Sequence, residues 1–134
     1  MDGNKGGRLG WISRVSPHGG LQGVLAHQPA LQAKFDAFMQ TLEGDDVVPA
    51  RVMALCRAQI EFVHGGPEPA PQALSSAEQA AVEVAALMPY SHHAIEDEHI
   101  AALRTHFGEK GGVDILTATA FFDVQARLSR VFEV

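Results

Sequence analysis

From Pro29 onward the apolar residues fall at helical spacing. Leu31, Phe35, Phe38, Met39 and Leu42 follow the i, i+4, i+7, i+8, i+11 pattern of one helix face. The pattern predicts a helix from Pro29, where the missing N–H of proline is no loss, to Gly44, which stops it. A second helix is expected from Val48 or Pro49 to His64. Its apolar side holds Val52, Leu55, Cys56, Gln59, Ile60 and Val63, and Gly65-Gly66 ends it. Pro67, Pro69 and Pro71 then force an extended connector over residues 67–74, because proline fixes φ and keeps the preceding residue out of the helical region. Ser75-Ser76-Ala77-Glu78 reads as a capping box opening an Ala-rich helix that should end near Met88-Pro89. Two more helices are expected. One covers Asp97 to Phe107, with Ile100, Leu103 and Phe107 inward. The other covers Val113 to Val131, with Thr117, Phe121, Val124, Leu128 and Val131 on its apolar face. No segment alternates with period two, so the fold class is all-α, a bundle of about five to six helices. Residues 1–20, with Gly3, Gly6, Gly7, Gly10 and Pro17, read as an irregular arm that Trp11 and Ile12 anchor. Residues 21–134 form the helical domain.

The chain of 134 residues suits one domain with its own core. A formal charge of −6 with scattered basic residues excludes a phosphate-backbone partner, so no nucleic acid is expected. No apolar run approaches the ~20 residues needed to span a bilayer, and Met1 to Arg8 contain no apolar h-region, so neither a membrane span nor a signal peptide is expected. A single cysteine rules out an internal disulfide and points to the cytoplasm.

That cysteine, Cys56, lies on the apolar side of the second predicted helix and reads as a small buried hydrophobe. The functional alternative is a one-cysteine peroxide sensor, which needs His27, His64 or Arg57 beside the sulfur. His92, His93, Glu96, His99 and His106 form the densest polar cluster. His92, Glu96 and His99 share a face if the segment is one helix, and two imidazoles with a carboxylate suit a divalent metal. The spacing matches no established metal motif. The competing reading is a solvated helix start, with Glu96, Asp97 and Glu98 at the positive end of the dipole. No metal and no cofactor are therefore expected. Asp123 and Arg127, like Arg57 and Glu61, stand at i, i+4 and read as ion pairs.

Several stretches together resemble the carboxymuconolactone decarboxylase and alkylhydroperoxidase D superfamily. These are Leu25-Ala26-His27-Gln28-Pro29-Ala30-Leu31 followed by Phe35 and Phe38, Val48-Pro49-Ala50-Arg51-Val52, Leu55-Cys56-Arg57, Leu74-Ser75-Ser76-Ala77-Glu78-Gln79-Ala80-Ala81, Ile95-Glu96-Asp97-Glu98-His99, Leu103-Arg104-Thr105-His106-Phe107-Gly108, Phe121-Phe122-Asp123 and Arg127-Leu128. The resemblance covers roughly residues 21–134 and implies that family's helical bundle. Redox members use a Glu, a Cys-x-x-Cys pair and a following His to attack a peroxide, resolve the sulfenic acid and relay protons. Here Ala54, Gly66, Pro69 and Ala73 stand at those positions, and the connector looks as if the catalytic helix had been cut out. The family's thiol peroxidase activity is not expected. The leading expectation is a binding or structural protein with a degenerate redox site, possessing room for a small-molecule ligand. The alternatives are decarboxylase-type acid–base chemistry through His and carboxylate, or residual alkylhydroperoxidase-like activity. The catalytic candidates are His64, His27 and Cys56, with a helix cap as the competing reading of His64.

Relatives of that family assemble through apolar helix faces, so the resemblance implies a homo-oligomer, most simply a dimer. Phe62, Phe122 and Phe132 lie off the main apolar faces. Gathered from two chains, they would form an interface that Phe122→Glu or Phe132→Glu should break.

Overall fold

The computed structural model describes residues 20–44 and 47–134. The expected arm, with Trp11 and Ile12, falls on residues outside these, apart from Gly20, which opens the first helix. The described residues are all-α, with no strand. The helices are α1 (Gly20–Leu25), α2 (Pro29–Glu43), α3 (Ala50–Val63), α4 (Ser76–Ser91) and α5 (Asp97–Phe132), with one 3-10 turn at His92–Ala94. No helix among them is long and apolar enough to cross a membrane.

The punctuation residues act as the sequence requires. Pro29 occupies the first turn of α2, and the Gly44 N–H closes it on the Gln40 carbonyl at 2.8 Å. His64 caps α3, and Gly65 follows at φ 94°, in the left-handed region that glycine adopts without strain. Residues 66–75 carry no regular structure. Ser75 Oγ then accepts from the Glu78 N–H at 3.1 Å while the Glu78 carboxylate accepts from the Ser75 N–H at 2.9 Å, completing the capping box. Arg51 donates to the same carboxylate at 2.7 Å and holds Glu78 below its ordinary value.

Two boundaries differ from expectation. α1 is an addition: its six residues are too few to display a period. α4 runs through Pro89 to Ser91, and the Pro89 carbonyl accepts from Arg127 Nη2 at 2.5 Å, giving the last turn a donor from another helix. The two last predicted helices are both present within α5, parted at Gly108 as expected after Phe107, where a φ of 74° with ψ of 176° is a conformation only glycine adopts readily; the second begins a few residues earlier than Val113. Helical geometry resumes at once, and Gly111 serves close packing there. A Cβ at Gly111 would stand 3.2 Å from Val47 Cγ1 and 2.6 Å from Phe107 Cβ.

α3 and α5 both pack on α4, and the core lies among them. It contains Val52, Met53, Cys56 and Ile60 of α3, Ala81, Val84 and Ala85 of α4, and Leu103, Ile115, Ala118 and Phe122 of α5, with Met39 and Leu42 of α2 and Val48 closing one side. The inward face of α5 is therefore not the expected one. Gly111, Gly112, Ile115, Ala118, Thr119 and Phe122 face the core, while Val124 and Val131 are exposed. Phe122 is 2% exposed and belongs to the core, so Phe122→Glu would disrupt folding rather than an interface. Leu31 and Phe38 of α2 are exposed as well, Phe38 resting edge-on against Phe121 with ring centres 4.5 Å apart.

Candidate functional site

The chemistry-bearing side chains converge where α3 ends. Because His64 caps that helix, its ring swings away from the α3 axis toward α4 and α5. Nε2 lies 2.6 Å from Asp123 Oδ1, and Nδ1 lies 3.1 Å from the Tyr90 hydroxyl. Asp123 also accepts from Arg127 Nε at 3.0 and 3.1 Å through its two oxygens, so the expected i, i+4 pair is present. The Arg127 guanidinium sits 4.9 Å from the centre of the Tyr90 ring. A carboxylate that accepts from Arg127 can only accept from His64 too, which places a hydrogen on Nε2. In the neutral ring Nδ1 then accepts from Tyr90. The result is a line of hydrogen bonds from Tyr90 through His64 to Asp123. The His64 and Asp123 side chains are largely buried, whereas Tyr90 is 59% exposed.

This arrangement occupies both imidazole nitrogens. In this arrangement His64 has no lone pair left for a metal. Its main chain is engaged as well: the His64 carbonyl accepts from Arg130 Nη1 at 2.8 Å. Together with the Arg127 bond to Pro89, these contacts fasten the C-terminal ends of α3 and α4 to α5.

Beside them lies an open groove of about 830 Å³. One wall is the end of α3 and the turn after it, with Arg57, Glu61, His64 and Gly65. The other is the end of α5, with Ala126, Arg130 and Val131, and Leu21 contributes from α1. Arg57 is fixed over the Phe122 ring, 4.2 Å from its centre. Its Nη2 donates to Glu43 and its Nη1 to Gln125, each at 2.9 Å. Its expected i, i+4 partner, Glu61, is not the one it pairs with.

The remaining candidates are not gathered here. Cys56 is fully buried, and that burial pushes its thiol up to about 12. It sits eight residues before His64 on the same helix, about 12 Å away along the axis. His27 is an exposed residue of the turn between α1 and α2. His92, Glu96 and His99 do not share one helix, because the 3-10 turn ends at an extended Ile95. His99 Nδ1 instead accepts from the Glu96 N–H at 2.9 Å and caps α5. Among the described residues no group of three or more His, Cys, Asp or Glu side chains could hold a metal ion. Sequence reasoning identified His64 and the Asp123–Arg127 pair but missed Tyr90, Arg130 and the groove. Tyr90 carried one signal, an aromatic polar residue directly after a helical proline.

Comparison with protein-family models, with curated proteins and with solved structures returned no match for the chain.

Proposed function

We propose that this chain is a divergent protein of the carboxymuconolactone decarboxylase and alkylhydroperoxidase D kind that works by binding, as a cytoplasmic homo-oligomer, and not by thiol redox chemistry. The observation that carries the proposal is the state of its one thiol. Cys56 is sealed in the core, its ionisation is suppressed, and no second cysteine exists to resolve a sulfenic acid. Ala54, Gly66, Pro69 and Ala73 offer no thiol, carboxylate or imidazole where redox relatives need them. What the surface offers instead is the open groove of about 830 Å³, which suits a small ligand in size. The test is reduction of an organic hydroperoxide with a dithiol as electron donor. Wild type and Cys56→Ser should be indistinguishable; turnover lost in Cys56→Ser would sink the proposal.

A second reading is acid–base catalysis of the decarboxylase type, favoured by the short contact between His64 and Asp123. Tyr90 would then be the group that meets substrate, since it holds the only exposed end of that hydrogen-bonded line. Against it, neither Tyr90, Asp123 nor Arg127 lines the groove.

A further inference from the structure

The groove at the ends of α3 and α5 is acidic once its arginines are accounted for. Arg57 is neutralised by Glu43 at 2.9 Å. Arg130, which donates to the His64 carbonyl, is the cation that remains, against Glu61 and Glu133 on the same walls. Leu21, Ala126 and Val131 add apolar surface beside these charges. An occupant that complements this lining is apolar and positively charged.

The chain carries such a stretch, and it ends at the groove. Residues 1–19 hold three of the ten basic residues, Lys5, Arg8 and Arg14, and one of the sixteen acidic ones, Asp2. They are therefore basic within a chain of formal charge −6. Arg8 and Arg14 bracket Leu9, Trp11 and Ile12, so cations and apolar groups come together within a few residues. The segment joins the described structure at Gly20, and the next residue, Leu21, is a wall of the groove. Leu21 belongs to α1, which packs on α5. Trp11 and Ile12 precede it by about ten residues, a reach of up to about 30 Å in extended chain. A tether this short holds the segment at an effective concentration on the order of millimolar, which favours it over a second copy or a free basic ligand. We propose that residues 1–19 of the chain dock in this groove, Trp11 and Ile12 against Leu21, Ala126 and Val131, and Arg8 and Arg14 toward Glu61 and Glu133. The contact goes beyond the binding role above and acts on it, because a ligand must displace the segment to enter.

Trp11 is the only tryptophan, so its fluorescence reports on the segment within the intact protein. At neutral pH and micromolar concentration its emission should be blue-shifted from that in denaturant, and quenching by acrylamide should be largely lost. Glu61 and Glu133 are exposed, so Glu61→Lys with Glu133→Lys should keep the helical circular dichroism of wild type. That pair of changes should return both fluorescence readings to their values in denaturant. Arg8→Glu with Arg14→Glu should do the same, and combining the two reversals should restore the shielding. Free quenching in wild type, shielding that survives the reversal at Glu61 and Glu133, or no recovery in the combined variant would each overturn the proposal. Shielding lost on dilution at constant dichroism would overturn it too, by placing another copy's segment in the groove. Cys56-dependent peroxide turnover, the result that would sink the binding role, leaves these readings unmoved.

Discussion

At the scale of single residues, Cys56 and His64 show how position decides chemistry. Both were candidates for reactivity. Cys56 has no solvent contact, and burial disfavours its charged form, so it stays a thiol. We expect iodoacetamide at pH 8 to leave it unmodified in the folded protein and to label it fully in denaturant, as mass spectrometry would record. The sign of its pH effect follows from the raised value. Stability gained by keeping the neutral thiol buried is complete below about pH 9 and is lost as pH rises toward 12. Relative to Cys56→Val, wild type should therefore lose stability across that alkaline window in chemical denaturation. His64, by contrast, is tied at both nitrogens. His64→Ala removes the bond to a shielded carboxylate and the bond to Tyr90, and should cost about 2–3 kcal/mol in urea unfolding. Tyr90→Phe, at an exposed site, should cost less than about 1 kcal/mol. Equal losses in the two variants would contradict the line of hydrogen bonds described.

At the scale of elements, the helix ends were legible and the helix faces only in part. Pro29, Gly44, Gly65 and the Ser75–Glu78 box act locally, through φ restrictions and unsatisfied N–H groups, so their meaning survives in sequence. Ser75→Ala should destabilise the protein by about 1 kcal/mol, measured by thermal or denaturant melting. Gly108 was likewise readable as an end, since helical periodicity fails after Phe107. The inward face of α5 was not. Ile115 and Phe122 face the core while Val113, Val124 and Val131 point away from it, so apolar residues lie on two opposite sides of the helix and its periodicity has little contrast. The site was legible only where its contacts are local. Asp123 and Arg127 are four residues apart, but His64 meets Asp123 across 59 residues and Tyr90 across 26. No spacing rule encodes such meetings.

At the scale of the molecule, the outer side of α5 carries the argument for assembly. At ~100° per residue, Val113, Thr117, Ala120, Val124 and Val131 lie opposite Ile115, Ala118 and Phe122. This strip, with Arg127 at one edge, runs for about 27 Å at 1.5 Å per residue. Val113 is 63% exposed and Val131 49%, with Phe38 and Phe121 at the flank. A long apolar helix face left in water is the usual mark of an interface. Val124→Glu should therefore yield a folded species of lower mass in sedimentation. Phe122→Ala should instead lower stability by about 3–5 kcal/mol, because it opens a cavity in the core. Wild type sedimenting as a monomer at micromolar concentration would remove the basis for assembly.

The fastening of α5 by His64, Asp123 and the Pro89 carbonyl has a consequence for how the protein breathes. The last turns of a helix ordinarily fray and trade their amide hydrogens with solvent far faster than the core does. Here Arg127 and Arg130 hold those turns to two other helices, and Asp123 anchors them from one turn earlier. The amides from Arg127 to Arg130 should then exchange only when α3, α4 and α5 separate. Slow deuterium uptake there in wild type, made fast by Asp123→Asn, would mark the end of α5 as part of one cooperative opening unit.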